Sequence, residues 1–355
     1  MRVAIEGAAL GLSSGGLPRY TGELSLALAR AFPEDEYYLV SDRPFPMPAA
    51  APPNLKRGGG PRNAAERRWW LWGLARELGR LGADLVHGPD FSVPYLARRP
   101  SVLTLHDLSP WMNRGWQRAA KRVRRRTPAL LELGIATMVV TPSETVRKQA
   151  IERFRLRPDR VVAVPEAAAP WFAPAEPGAP GVVPYFLFVG TLEPRKNLAA
   201  LVEAWREVRR SHAVDLVLAG RKRADFEDPP AWSAEPGLRW IGEVPDAALP
   251  GLYSGALALV YPSLYEGFGL PVLEAMQCGA AVVASRAVGE AAGDAAIYAG
   301  DVRELALAMR ALCESPERVA ELRAKSLQRA RQFTWERTAR ATYEVYREAR
   351  RRFGE

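Results

Sequence analysis

The chain has 355 residues, 48 % of them hydrophobic, with a formal net charge of +9 and only three histidines and two cysteines. That length supports two domains with full cores, and so few histidines exclude a histidine metal cluster. No stretch reaches the roughly 18 uncharged apolar residues of a membrane span, and Cys278 and Cys313 do not make a disulfide framework, which points to a reducing cytosol.

In chain order, Met1 leads directly into an apolar strand, Val3–Glu6, rather than into a signal peptide. Further strands are expected at Tyr37–Val40, Asp84–His87, Val102–His106 and Met138–Thr141. Helices are expected at 18–31, 64–81, 115–133 and 143–153. A proline- and glycine-dense stretch, 165–181, reads as a linker. Beyond it the pattern repeats, with strands at Tyr185–Val189, Asp215–Ala219, Leu238–Ile241, Ala256–Tyr261 and Ala281–Ala284. Helices there fall at 198–210, 246–254, 270–278 and 301–313. Short apolar strands alternating with amphipathic helices predict an α/β fold with parallel sheets. The expected division is 1–168 for the first domain, 169–183 for the linker and 184–335 for the second domain. A last helix, 336–355, returns to the first. Open parallel sheets bind ligands at the carboxyl ends of their strands, so two such domains are expected to share a cleft.

The basic excess belongs to the first half. Residues 1–170 carry 26 Lys/Arg against 16 Asp/Glu, and the remainder 23 against 24. Lys121, Arg122 and Arg124–Arg126 lie in the most basic stretch, 114–133, and Arg67-Arg-Trp-Trp-Leu-Trp72 adds tryptophans. This pattern suits an anionic membrane surface. No nucleic-acid motif is present. The acidic clusters Glu34–Glu36 and Asp225–Asp228 lack the form of a metal-binding Asp-x-Asp after a strand and read as solvated loops.

The most informative segment runs from Tyr261 to Gly279. A strand is followed by Glu266-Gly267-Phe268-Gly269, then by a helix from Leu270 with Pro271 in its first turn and Gly279 at its end. Free amides and the positive end of the helix dipole make an anion site there. Glu266 and Glu274 bracket it. Acids beside an anion are explained if they accept hydrogen bonds from flanking hydroxyls, a demand that a diphosphate with a sugar on each side meets. Upstream, a strand ends at Gly190, and its loop delivers Arg195 and Lys196 before a helix capped by Asn197. The stripe Leu198, Leu201, Val202, Trp205 buries that helix. In the first half, Gly15 and Gly16 precede a helix, and His106 and Asp107 end one strand while His87 ends another.

The Tyr261–Gly279 segment resembles the E-x7-E signature of retaining GT-B glycosyltransferases of the family-4 type, the mannosyltransferase-like members of glycosyl transferases group 1. The resemblance covers essentially the whole chain and is strongest from Tyr185 to Ala311. It implies two Rossmann-like, doubly wound domains facing across a cleft. It implies transfer of a sugar from a nucleotide-diphosphate donor to a glycan or lipid-linked acceptor, with retention of configuration and without a metal or other cofactor. GDP-mannose is the favoured donor, with UDP-sugars open. A nucleotide-sugar epimerase, a phosphorylase and a catalytically inactive binding subunit are the alternatives. In this reading Arg195 and Lys196 hold the diphosphate and Glu274 the ribose. Glu266, with Gly267, Phe268, Gly269 and Leu270, engages the donor sugar and phosphates. Gly16 and Gly190 approach the donor, and His106 lies beside the transferred sugar. His87 and Asp107 are assigned to the acceptor side. The chain departs from the family at Thr191, where an Arg is usual, so Arg195 and Lys196 must supply the positive charge alone. It departs again at Pro18, and in a short loop, 285–296, where Glu290 is the matching acid. The enzyme is expected in the cytoplasm, at the inner face of the membrane.

Overall fold

The computed structural model describes residues 1–12, 15–96, 98–113, 115–116, 120–176, 183–224, 226, 232 and 235–353. The chain divides into two compact units, residues 1–166 with 334–355, and residues 167–333.

The first unit opens with β1 (Arg2–Glu6), α1 (Gly16–Ala31), β2 (Glu36–Val40) and β3 (Leu55–Arg57). It continues through α2 (Leu74–Leu81), β4 (Leu85–Gly88), β5 (Ser101–Thr104), α3 (Ser109–Met112) and α4 (Lys121–Glu132). It ends its first pass with β6 (Met138–Thr141), α5 (Glu144–Phe154) and β7 (Val161–Ala163). The strands form one parallel sheet in the order β3-β2-β1-β4-β5-β6-β7. The order reverses between β1 and β4, the place where open α/β sheets leave a crevice.

The second unit has β8 (Tyr185–Val189), α6 (Leu198–Arg209), β9 (Asp215–Ala219), β10 (Leu238–Gly242) and α7 (Leu249–Gly255). It goes on with β11 (Ala258–Tyr261), α8 (Leu270–Gln277), β12 (Val282–Ala284), α9 (Gly289–Ala292) and β13 (Ile297–Tyr298), then α10 (Val302–Glu314) and α11 (Pro316–Ala330). Its sheet is again parallel, in the order β10-β9-β8-β11-β12-β13, reversing between β8 and β11. Strands buried on both faces read as continuous apolar runs, and β8 and β11 have every residue buried.

The differences from the sequence reading have local causes. The helix expected over 64–81 begins as a π turn, Trp69–Gly73. A Cβ on Gly73 would stand 2.1 Å from the Glu66 carbonyl oxygen, so only glycine lets the two turns cross. The helix expected over 115–133 starts at Lys121, part of its leading stretch lies outside the described residues, and the short α3 precedes it. The edge strands β3, β7 and β13 have three, three and two residues, too few to show a period. Glu36 is the first residue of β2 and pairs with Arg2 at 2.9 Å and with Lys56, so it is not a solvated loop residue. Asp225, Glu227 and Asp228 lie outside the described residues.

In the stretch read as a linker, Ala168, Ala169 and Phe172 are buried in the second unit's core. Gln277 Nε2 donates to the carbonyls of Ala169 (3.0 Å) and Phe172 (2.7 Å), which fastens the segment to α8. Residues 177–182 lie outside the described set.

The chain's last helix, α12 (Trp335–Arg352), belongs to the first unit. Trp335 meets Tyr20 edge-on at 6.0 Å, Tyr343 stacks on Phe32, and Arg352 pairs with Asp159 at 2.7 Å. At its centre Tyr346 Oη is 2.7 Å from His87 Nδ1, and Thr104 Oγ1 is 2.8 Å from His87 Nε2 and 2.9 Å from Tyr20 Oη. His87 is 0 % exposed, and burial pushes its pKa down to about 3. This corrects its assignment to the acceptor side: it is a neutral hub that ties β4, β5, α1 and α12 together. Replacing it takes away the partner of the buried Tyr346 hydroxyl and one of the two bonds of Thr104 Oγ1. His87→Ala should therefore cost about 2–4 kcal/mol in denaturant unfolding; a loss under about 0.5 kcal/mol would contradict the hub.

Candidate functional site

At the switch point of the second sheet, two loops meet. After β8 the chain turns at Gly190 (φ +150°), and after β9 at Gly220 (φ +139°). A Cβ on Gly220 would stand 2.0 Å from the Gly190 carbonyl oxygen, so the two strand ends can lie side by side only without side chains there. The β8 loop then makes a short 3-10 turn, Pro194–Lys196, held to the β11 loop by Leu264 N–H donating to the Arg195 carbonyl (2.9 Å). Asn197 stands at the N-cap of α6 but in the left-handed region (φ +56°), and its side chain makes no capping bond. The capping expectation therefore fails. Asn is suited to this conformation by its tolerance of positive φ.

The turn buries its cations. Arg195 is 7 % exposed, Lys196 6 % and Glu266 9 %. Arg195 Nη1 donates to Glu266 Oε2 (2.8 Å) and to the Tyr265 carbonyl (2.6 Å), and its Nη2 to Glu193 Oε1 (2.8 Å). Lys196 Nζ donates to Glu266 Oε1 (2.6 Å) and to Tyr261 Oη (2.5 Å). Arg223, from the loop after β9, donates to Glu193 Oε2 at 2.8 Å. Three cations thus alternate with two carboxylates, an excess of one positive charge. Charges taken out of water persist only when paired and hydrogen-bonded. Burial pushes the Glu266 carboxyl up, but Arg195 and Lys196 together overcome it and hold it down at about 2. For Lys196 burial wins, and its pKa is lowered despite Glu266.

Arg195, Lys196 and Glu266 are therefore brought together, as a buried network rather than a solvated basic loop. Arg195 and Lys196 are not the only cations, since Arg223 joins them. Glu193 and Arg223 were missed by sequence reading. The available signal was Arg221-Lys222-Arg223 following a strand and a glycine, the same arrangement as Gly190 followed by Arg195-Lys196.

Beside the network, α8 starts at Leu270 with Gly269 as N-cap at φ +108°. A Cβ on Gly269 would meet Val288 Cγ1 at 2.7 Å, so both conformation and space require glycine. Val288 closes the 3-10 turn Arg286–Val288 that precedes α9, and its side chain packs against the helix start. Phe268 is buried and meets Phe333 edge-on at 5.6 Å, so its ring is committed to the core. Gly267 is half-buried. Gly279 ends α8 at φ +74°. Glu274 is 1 % exposed and accepts from Tyr253 Oη at 3.0 Å.

In the first unit, Gly16 is the first residue of α1 and Gly15 its N-cap at φ +112°. Ser13 and Ser14 lie outside the described residues. Pro18 falls in the first turn, where its missing N–H has no helical partner to lose. His106 follows β5. Its Nε2 donates to the Pro89 carbonyl (2.6 Å), and its Nδ1 is 3.2 Å from Glu166 Oε1. Its ring meets Tyr20 edge-on at 4.7 Å. Burial pushes the imidazole pKa down, but Glu166 and the Pro89 carbonyl more than reverse this, so the charged form is favoured. Asp107 Oδ1 accepts from Ser109 N–H (2.8 Å) and Oγ (2.7 Å), which braces the start of α3. Among the described residues no three His, Cys, Asp or Glu side chains are grouped to hold a metal ion.

Two pH effects follow. The folded pKa of Glu266 lies below the ordinary 4.5, at about 2, so its ionised form stabilises the second unit above 4.5 and that contribution fades as pH falls towards 2. Acid unfolding of Glu266→Gln should be flatter than that of the unaltered chain over this window; parallel curves would contradict the assignment. Glu166→Gln should lower the His106 pKa, followed by its imidazole proton resonances, and an unchanged titration would remove Glu166 as the cause.

Against known proteins, a family model described as Glycosyl transferases group 1 matches residues 183–315, and one described as Glycosyltransferase Family 4 matches residues 14–168. The O-antigen chain mannosyltransferase B of Escherichia coli is 33 % identical over 289 residues, covering 74 % of this chain and 74 % of that one. Among solved structures, the sucrose-phosphate synthase of Thermosynechococcus elongatus superposes with a TM-score of 0.77 at 21 % identity, covering 98 % of each chain. Anabaena HepE, in complex with UDP and glucose, gives 0.72 at 17 % identity, over 98 % of this chain and 99 % of that one. Two Rossmann-like parallel sheets in the same strand order, these likenesses and the family matches over residues 14–168 and 183–315 agree: the chain is a glycosyltransferase of group 1, with the GT-B fold.

Proposed function

We propose that the protein moves a hexose from a nucleotide-diphosphate sugar to a hydroxyl of a glycan acceptor, with retention of anomeric configuration and without a metal. The observation that carries this reading is the cation network of Arg195, Lys196 and Arg223 at the second sheet's switch point, beside the N-terminus of α8. A diphosphate entering there replaces the Glu266 carboxylate as the partner of Arg195 and Lys196. Glu266, released, accepts hydroxyls of the donor sugar, and Glu274, oriented by Tyr253, accepts those of the ribose. As the anomeric carbon–phosphate bond breaks, negative charge builds on the leaving diphosphate, and the preorganised cations and helix amides stabilise it. The acceptor oxygen bonds to the anomeric carbon on the same face, and its proton passes to the leaving phosphate oxygen.

GDP-mannose is the favoured donor, supported by the mannosyltransferase relative. The UDP held by HepE keeps UDP-sugars as the alternative. Lys196→Ala and Glu266→Ala should each lower turnover by about 100-fold or more, with the secondary structure retained by circular dichroism. Near-normal turnover in both would refute these roles. The anomeric proton of the first product formed, read by NMR, decides retention, and full activity in a chelator decides metal independence.

The same proposal places the enzyme at the cytoplasmic face of the membrane. Among the described residues no helix is long and apolar enough to cross a membrane, but α4 exposes Lys121, Arg122, Arg125 and Arg126 on one face, and Trp72 is 40 % exposed. Reversing the charge of Lys121, Arg122 and Arg125 should abolish co-sedimentation with phosphatidylglycerol vesicles at low salt; undiminished binding would exclude this face.

A further inference from the structure

One cleft has no part in the mechanism above. It lies in the first unit, where α4 and α5 end and the chain enters β7, and has a volume of about 480 Å³. The amino ends of β6 and β7 border it, whereas His106 leaves β5 at the opposite, carboxyl edge of the same parallel sheet. Its floor is apolar: Leu131, Val139 and Phe154 are each no more than 4 % exposed. Four arginines and one glutamate, Glu132, also line it. Arg160 is taken up by the main chain and donates to the Thr137 carbonyl at 3.0 Å. Arg157 shares an exposed ion pair with Asp159 at 2.8 Å, a contact that water already weakens. Arg153 and Arg155 are exposed, and among the described residues neither of their side chains, nor that of Glu132, has an ion-pair or hydrogen-bond partner. Arg155 ends α5 in the left-handed region, at φ +50°. Glycine or asparagine is usual at that position, so the helix end by itself does not call for an arginine.

Three guanidiniums gathered over an apolar floor repel one another until an anion joins them. We propose that this cleft binds an organic phosphate with an aliphatic chain, the phosphate held by Arg153, Arg155 and Arg157 and the chain lying on Leu131, Val139 and Phe154. Clefts of roughly 300–1,000 Å³ with apolar walls and a few placed polar groups are of the kind that takes small molecules. Guanidinium forks match the several oxygens of a phosphate. Arg157 turns to it at little cost, because Asp159 keeps Arg352 as its partner at 2.7 Å. A bare phosphate leaves the floor wet, and an uncharged chain leaves the arginines without a counter-charge. The site stands apart from the donor network in the second unit and does not depend on the reaction proposed there.

The test uses the full chain and octyl phosphate below its micelle concentration, titrated by calorimetry with and without GDP and UDP. The unaltered protein should bind octyl phosphate equally well in all three conditions. Ethyl phosphate, which keeps the head, and octyl glucoside, which keeps the chain, should each bind at least about tenfold more weakly. Arg153→Gln and Arg155→Gly should each weaken octyl phosphate about fivefold or more. Glycine suits the left-handed helix end, so Arg155→Gly should melt no lower than the unaltered chain, which separates loss of the charge from loss of the fold. Unchanged affinity in both variants, equal binding of ethyl phosphate or of octyl glucoside, or no binding to the unaltered protein would each overturn the site. Displacement of octyl phosphate by GDP or UDP would put it in the donor site instead and overturn it as well.

Discussion

Everything in the second unit's site follows from placing Arg195, Lys196 and Glu266 together out of water. Each charge alone would be too costly to bury. Together they hold their positions because each carboxylate oxygen of Glu193 and Glu266, the two terminal guanidinium nitrogens of Arg195 and the Lys196 ammonium find partners within 2.5–2.8 Å. Removing one partner from such a group costs about 3–5 kcal/mol, so the loops after β8 and β11 are locked to each other before any ligand arrives. The lock also explains why the depressed Glu266 pKa and the lowered Lys196 pKa coexist. Glu266 faces two cations that outweigh its burial, while for Lys196 burial, helped by the neighbouring Arg195 guanidinium, outweighs Glu266 and Glu193. Under the proposed function, a donor diphosphate meets cations already aimed, with reorganisation confined to the movement of one carboxylate.

The two units use one architecture for different ends. Both sheets are parallel and reverse after their first strand. In the second unit the reversal point collects cations. In the first it collects acids, Glu6, Asp42 and Asp90, even though this half carries the chain's positive excess. A cluster of the first unit's basic residues, Lys121, Arg122, Arg125 and Arg126, is exposed on α4 instead. The neutral centre of the first unit is the His87 hub, which lets α12 close over β4 and β5 without burying a charge. An imidazole can serve there because it offers a donor and an acceptor in opposite directions while remaining uncharged.

The main strands could be read from apolar runs, because strands buried on both faces must be apolar throughout, and the helices with a buried stripe could be read from their spacing. Short edge strands such as β13, and the π turn before α2, could not, since their existence depends on a neighbouring strand or on one close crossing at Gly73. For the site, the Glu266–Glu274 spacing, the glycines and the Arg195-Lys196 pair were legible as motif. Glu193 and Arg223 were not, because what matters in them is a side chain reaching across from the neighbouring strand. His87 and His106 look alike in sequence, each ending a strand. Their environments separate them, one wholly buried between two hydroxyls and the other partly exposed beside a carboxylate.

By itself, the order of residues determined that this chain builds two parallel α/β units and that a glycine-led helix start faces two acids and a basic turn, since apolar runs, helix period and backbone freedom at glycine are local properties. Only the tertiary structure decided which charges are paired. Pairing depends on distances of a few ångströms between segments some 70 residues apart, and the strength of each interaction depends on how much water the rest of the fold removes.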